Sequence, residues 1–478
     1  MAPRSTERVW AQERNAEIEA LKKQMEELRQ REAERQQQLE ELQRRLDLLQ
    51  AQPGAAAPPV APASPLDRAV QELTPPQPLP TQPALVSRQV GGATLRLIDI
   101  SADLLVAAGG STEDDAVIEM LQGGGHDPHQ NGFTLQALEL SLGGAVDPYF
   151  TAEAHMTFFI DRQGETQLEL EEAFVTSQSL PFGLQAKAGF FLTEFGLINP
   201  THPHAWDWVD QPVIMSRLFG EDGLRQAGLR VSWLTPLPWF SQFYAGVQNA
   251  RGETAVSFLA NEEVFAERAI GGRPFVDRKV DSPKELIYLL RWENSWDLSQ
   301  ALTSKLGVSA LFGPNPTGPD GRTIMYGADL KVLWRPVRNF RGWPFLRWQT
   351  EFVQRDYRAN AFTEVVDEAE VTLARKTLRD WGIYTQALYG FAYRWAVGLR
   401  FEYATGSGAS VGEGGREADP FRDDRYRVSP LLVWYASEFA RLRLQYNYDR
   451  TDHLPNDRAH AVWLVLEALI GTHPAHKF

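Results

Sequence analysis

Between residues 193 and 225 the chain gathers groups able to bind protons or metals: Glu194, His202, His204, Asp207 and Asp210, interleaved with Trp206 and Trp208. Imidazole and carboxylate both ligate divalent cations, and His202-x-His204 followed by two aspartates could supply four donors. On a loop, residues of these types more often make hydrogen bonds and set the polarity of an aqueous surface. That reading is preferred, so neither a metal nor a cofactor is expected. The pairs His126-x-x-His129 and His473-x-x-His476 lie outside any helix that would aim both rings at one ion. The chain has no Cys, and it lacks His-Glu-x-x-His, Gly-x-Ser-x-Gly, a phosphate-cradling glycine loop and an EF-hand loop. Enzyme chemistry is therefore not expected.

The elements that must carry these groups are strands. In Tyr149–Ile160 the even positions Phe150, Ala152, Ala154, Met156, Phe158 and Ile160 are apolar, whereas Thr151, Glu153, His155 and Thr157 alternate with them. One face is oily and one is wet. The pattern recurs about sixteen times, near 95–107, 133–142, 149–160, 168–178, 184–192, 226–235, 239–250, 284–294, 302–312, 324–336, 344–356, 380–392, 395–405, 426–437, 439–449 and 461–471. No run of eighteen apolar residues offers a membrane helix, and 43% hydrophobic residues is what strict alternation leaves. The expected fold is an all-β transmembrane barrel of about 16 antiparallel strands, lipid outside and water inside, plus an N-terminal α-helical coiled coil.

Connections alternate in length: 143–148, 180–183, 235–238 and 437–438 are short, and 108–132, 193–225, 251–283, 358–379 and 406–425 are long. Barrels of this kind have short periplasmic turns and long outer loops, so the strand number is even and both chain termini lie in the periplasm. Loops 108–132, 251–283 and 406–425 are expected to face outward. Loop 193–225 is the third long-side connection, expected to fold into the lumen as a constriction. There Glu194, His202, His204, Asp207 and Asp210 would oppose the inward-facing Arg347, Arg441 and Arg443. Aromatics near strand ends, such as Trp233, Trp239, Trp292, Trp334, Trp343 and Trp434, suit interfacial girdles. A formal charge of -14 argues against nucleic acid as a partner.

Three segments follow: 1–50, 51–94 and the barrel 95–478. In the first, Ile18, Leu21, Met25, Leu28, Leu39, Leu42, Leu46 and Leu49, with Glu32 and Arg35 as a polar layer between Leu28 and Leu39, fall on steps of three and four, the seam of a left-handed coiled coil. The second is rich in Pro and Ala, including Pro58-Pro59 and Pro75-Pro76, and reads as an extended linker. With ~1.5 Å per helical residue and ~3.1 Å per linker residue, this appendage reaches on the order of 150 Å into the periplasm. The opening MAPRSTERVW has no apolar signal-peptide core.

Coiled coil, Pro-rich linker, alternating strands and a last strand closing at Phe478 together resemble the trimeric phosphate-selective porins of Gram-negative envelopes. The likeness is carried most specifically by AGFFLTEFGLINPTHPHAWDWVDQP and the following FGEDGLRQAGLRVSWLTPLPW. It implies an outer-membrane porin, a passive channel for small hydrophilic solutes or ions, with lipid bilayer and lipopolysaccharide around a homotrimer. The second reading is a tether that links the outer membrane to the cell wall or a periplasmic protein through the coil.

Overall fold

The structure, a computed structural model, describes residues 86–90, 93–161, 164–267, 269–366, 369–408, 419–454 and 456–471. The heptad seam Ile18 to Leu49, most of the Pro/Ala segment and Phe478 lie outside the described residues. No described helix is long and apolar enough to cross a membrane.

Alternation of residue type is converted directly into wall. The strands in chain order are β1 (Val86–Val90), β2 (Ala93–Ser111), β3 (Gly132–Ala145), β4 (Phe150–Ile160), β5 (Thr166–Ser177), β6 (Leu184–Leu192), β7 (Arg225–Leu234), β8 (Phe240–Asn249), β9 (Leu286–Ser299) and β10 (Leu302–Pro314). They continue as β11 (Arg322–Trp334), β12 (Phe345–Ala359), β13 (Phe362–Val366), β14 (Ala369–Leu373), β15 (Lys376–Ala392), β16 (Trp395–Ser407), β17 (Arg425–Tyr435), β18 (Ala440–Thr451) and β19 (Arg458–Gly471). Among the described residues, sixteen of these pair antiparallel in sequence order. The ring closes where β19 meets β2, from Ala461↔Ser111 to Gly471↔Ser101.

All sixteen expected strands are present. Two pieces of extra sheet occur where none was expected: β1, inside the segment read as linker, pairs with the start of β2, and β13 with β14 forms a hairpin within the long connection 360–375.

Strand β12 shows how the faces sort. Its odd residues, from Phe345 through Gln349, Glu351, Val353, Arg355 and Tyr357, point inward and are buried. The even ones begin apolar, with Leu346, Trp348 and Phe352, and turn polar at Gln354, Asp356 and Arg358. That change marks the outer limit of an apolar band. On neighbouring strands aromatic pairs sit at two levels, Trp395–Trp434 at 6.3 Å between centroids toward the short turns and Trp381–Tyr403 at 5.4 Å toward the long loops. From Trp395 to Tyr403 the strand climbs about 26 Å, on the order of 20 Å along the barrel axis at the tilt usual for such barrels. Between the levels the outer face carries Val397, Leu399, Phe401, Leu444, Val462, Leu464 and Leu466, all more than 40% exposed.

Inside, the lumen is filled. The largest buried cluster joins Phe195, Ile198, Ile214, Met215, Leu218 and Phe219 from loop 193–224 with Ala255, Phe258 and Leu259 from loop 250–285, against wall residues Leu289, Leu311, Met325 and Val353. Loop 251–283, expected to face outward, thus folds inward with its apolar run Ala255–Ala260. The driving force is ordinary burial: a run of Ala, Val, Phe and Leu at the mouth of a barrel is more stable against an apolar inner wall than in water.

Candidate functional site

Loop 193–224 leaves β6 and returns to β7 through a tied neck. Thr193 N–H donates to the Leu224 carbonyl (2.9 Å). The Asn199 amide donates to the Thr193 carbonyl (2.8 Å) and accepts from Leu224 N–H (2.8 Å). Gly196 sits at φ +65, and a Cβ there would overlap the Glu351 carboxylate. Glycine is what lets the loop turn inward while Leu197 N–H donates to Glu351 Oε2 (3.2 Å). Beyond it lies the short helix α2 (Val213–Phe219), preceded in the chain by α1 (Asp115–Leu121) and followed by α3 (Glu262–Glu267). All seven residues of α2 are buried.

The expected constriction residues are all inside the barrel, but they disperse to different walls. Glu194 meets Lys187 (3.3 Å) and Arg230 (2.9 Å). Asp207 meets Arg347 (2.9 Å), the one opposition of loop acid and wall base that falls as expected. Arg441 and Arg443 face backbone rather than loop acids. Arg441 Nη2 donates to the carbonyls of His204 (2.6 Å) and Trp206 (3.0 Å), Arg443 Nη1 to those of Trp206 and Trp208 (both 3.1 Å), and both pair with Glu467. These two arginines fasten the loop to the wall.

Asp210 is the hub on the far side. Fully buried, it accepts from Arg427 Nη1 (2.9 Å), Gln445 Nε2 (2.8 Å), Asn447 Nδ2 (2.7 Å) and Gln122 Nε2 (3.2 Å), and pairs with Arg400. Burial pushes its pKa up, but the arginines and amides outweigh that and hold the carboxyl below the usual carboxylate range. Nearby Asp127 moves the other way, raised by burial and by the Asp210 charge. Trp208 Nε1–H donates to the Ser429 carbonyl (3.0 Å), and Val213 N–H to Glu402 Oε2 (2.6 Å).

His202 and His204 turn to β3 and β5, away from the β12 arginine that meets Asp207 and the β16–β18 side chains that hold Asp210. His202 Nδ1 lies 2.5 Å from Glu171 Oε2 and its Nε2 lies 2.8 Å from Glu172 Oε2. His204 Nδ1 is 2.7 Å from Glu139 Oε2, and His155 Nδ1 is 3.1 Å from Glu139 Oε1. His126, from the first long loop, places Nε2 3.2 Å from Glu171 Oε1. Burial lowers the pKa of all three loop histidines. The facing carboxylates more than reverse it, raising His202 and His204, and His126 to about 9. The wall partners Glu139 and Glu171 were visible in the alternation as inward acids. Nothing local in the sequence paired them with His202, because the contact joins residues 31 positions apart in the chain for Glu171 and more for Glu139.

Among the described residues, three of the cavities share lining side chains. A vestibule of about 620 Å³ is lined by Glu119, His129, Arg217, Asp222, Arg425 and His453 from the long-loop side. An inner cavity of about 340 Å³ is lined by Glu194, Asp207, Arg291, Lys305, Lys331 and Arg347. Between them a throat of about 30 Å³ shares Glu221 and Asp222 with the vestibule and Ile198, Thr201 and Trp206 with the inner cavity. It holds about one or two waters. His126, Glu171 and His202 line it.

No family model matches this sequence. A protein of Aquifex aeolicus (strain VF5) described as uncharacterized is 29% identical over 376 residues, which cover 74% of this chain and 73% of that one. Among solved structures, the anion-selective porin from Comamonas acidovorans aligns with TM-score 0.47 at 10% identity over 78% of this chain and 99% of the other. The outer membrane channel DcaP of Acinetobacter baumannii gives 0.46 at 9% over 78% and 97%, and Pseudomonas putida OprB 0.44 at 14% over 78% and 94%.

Proposed function

We propose that this chain is an outer-membrane channel for small hydrophilic solutes or ions, held in a narrow state by its own loops 193–224 and 250–285. The observation that carries this reading is the reversal of polarity across a single wall. On β19 Val462, Leu464 and Leu466 face out and exposed, while the inward Glu467 is fully buried with Arg441 and Arg443. A closed ring satisfies every backbone group of its strands internally, so an apolar exterior of this height belongs in lipid. In this reading the three adjoining cavities supply the path, and the throat sets its limit.

Selectivity in this reading is a mild preference for anions. Arg291, Lys305, Lys331 and Arg347 line the inner cavity with Glu194, Glu293 and Asp207. Arg291, Lys305 and Arg347 are already paired with carboxylates, at 2.6, 2.7 and 2.9 Å. No unpaired basic ladder argues for dedicated phosphate recognition. Assembly as a homotrimer, with the heptads as a periplasmic three-stranded stalk, belongs to the same proposal and rests on the seam in residues 18–49.

Reconstitution in planar bilayers tests the reading. Small stepwise currents are expected, with a reversal potential under a salt gradient shifted modestly toward the anion. Protein verified as folded that carries no current across the bilayer overturns it.

A further inference from the structure

The throat is walled in part by His126, Glu171 and His202, and Glu139 and His155 stand beside His202. Glu139 on β3 and His155 on β4 are diagonal neighbours on the inner face, His155 standing opposite Ser141. His202 arrives from the loop. One donor atom from each lies within 4.8 Å of the other two. The separations are 3.1 Å from His155 Nδ1 to Glu139 Oε1 and 3.5 Å from His202 Nδ1 to Glu139 Oε2. Donors about 2.0–2.1 Å from a tetrahedral cation stand about 3.3–3.4 Å apart.

The backbone is also adjusted here. In a regular strand Glu171 and Glu172 would point to opposite faces. The β4–β5 register shifts between His155 and Met156, so that His155 pairs with Glu172 and Met156 with Leu170, leaving Glu171 as the extra residue. The bulge turns both acids inward, both buried, and both reach His202. A second bulge, between Leu105 and Val106, leaves Gln136 unpaired in the β2–β3 ladder. Its amide donates to the His126 carbonyl (2.7 Å), and His126 Nδ1 lies 3.0 Å from its carbonyl.

The two faces of the His202 ring edge have different roles. Nε2 is engaged by Glu172, the hydrogen bond that holds a ligating histidine in one tautomer, and this leaves Nδ1 toward Glu139 and Glu171. Ring centroids lie 4.7 Å apart for His155–His202 and 5.7 Å for His202–His204.

We propose that Glu139, His155 and His202, with Glu171 beside them, form a binding site for a divalent transition-metal cation of the zinc class beside the throat, which His202 and Glu171 line. A mixed imidazole and carboxylate set suits zinc, cobalt or nickel, and not calcium or magnesium, which take oxygen donors. The neighbouring His126, Glu169 and Glu171 group is the weaker candidate, because Arg225 already pairs with Glu169. A cation at the first site links the loop to β3 and β4 and fixes the throat at its narrow width. The site does not depend on the channel reading.

The probe is Co2+ added to metal-stripped full-length protein in detergent, with its visible d–d absorption reporting nitrogen and oxygen ligation. One saturable band, displaced by Zn2+, is expected. His155→Ala and His202→Ala weaken binding by about 100-fold or more, and Glu172→Gln, at a side chain that meets His202 at its outer nitrogen and also accepts from Leu192 N–H, by about tenfold. His129→Ala and His453→Ala leave it unchanged. Far-UV strand signal and heat-modifiable gel mobility establish that each variant is folded. No band from the folded protein, or equal binding in His155→Ala and His202→Ala, overturns the proposal. In bilayers Zn2+ lowers current through the native protein and not through His202→Ala. Protein that binds Co2+ but never conducts overturns the channel and leaves the metal site standing.

Discussion

Removing the carboxylate of Asp210 should loosen the lumen-filling loop without unmaking the barrel. In Asp210→Ala, Arg400 and Arg427 lose a shared buried partner, and breaking such a pair usually costs about 3–5 kcal/mol. The lower end applies, because Arg400 keeps Glu402 at 2.7 Å and Arg427 keeps Asp449 at 2.9 Å. The rest of the anchor survives: Trp208 on Ser429, Val213 on Glu402, and Ile214, Met215, Leu218 and Phe219 in the apolar cluster. Those four side chains alone hold the loop by about 1.5–3 kcal/mol each. A loss of about 3 kcal/mol multiplies the open fraction of the loop by about 100-fold, which amide exchange reports directly. Hydrogen exchange of residues 208–219 should therefore accelerate by about two orders of magnitude, with β4 and β5 unchanged. Folded Asp210→Ala protein whose loop exchanges at the native rate would refute the assignment of Asp210 as an anchor.

The same anchor has a defined pH dependence. Because the folded pKa of Asp210 is depressed, its contribution is present above the ordinary carboxylate value of 3.8 and is lost as pH falls through the folded value, so exchange protection of 208–213 should stay level from pH 7 to about 4. Gly196→Ala forces a left-handed backbone and a clash with Glu351, and should cost about 2 kcal/mol or more, read as a lower urea midpoint for loss of the folded gel form. In the Cys-free background, Glu262→Cys should react with an impermeant maleimide on intact cells and Asn339→Cys only after permeabilisation; the reverse pattern overturns the orientation. Full-length protein should run as a trimer in native mass measurements, and deletion of residues 1–50 should shorten it without dissociating the barrel.

Much of the wall was legible because a period of two is written residue by residue. Glu139, Glu171, Arg347, Arg400, Arg427, Arg441, Arg443 and Glu467 were assignable to the inner face from parity alone, and each is inside. Parity states a face but not a partner across the lumen. His202-x-His204 was grouped with Asp207 and Asp210 because they are near in sequence, yet an extended loop delivers them to different strands, the histidines to β3 and β5 and the aspartates to β12 and β16–β18. The inward fold of 250–285 was missed for a related reason. Its Ala255–Ala260 run has no period to follow, and its partners Leu311 and Met325 lie on strands made later. The two bulges at Glu171 and Gln136 are invisible to any reading that assumes regular alternation.

The filled lumen also constrains how the molecule can be made. Loop 193–224 belongs to the first half of the chain, yet its anchors Arg400, Arg427, Arg441, Arg443 and Asn447 lie on strands that arrive last, Asn447 being 237 residues beyond Asp210. The loop can take up these contacts only once β16, β17 and β18 have joined the sheet. Until the β19–β2 seam forms, the sheet has two open edges. Any truncation that removes β19 leaves not a smaller pore but an unclosed and sticky scroll.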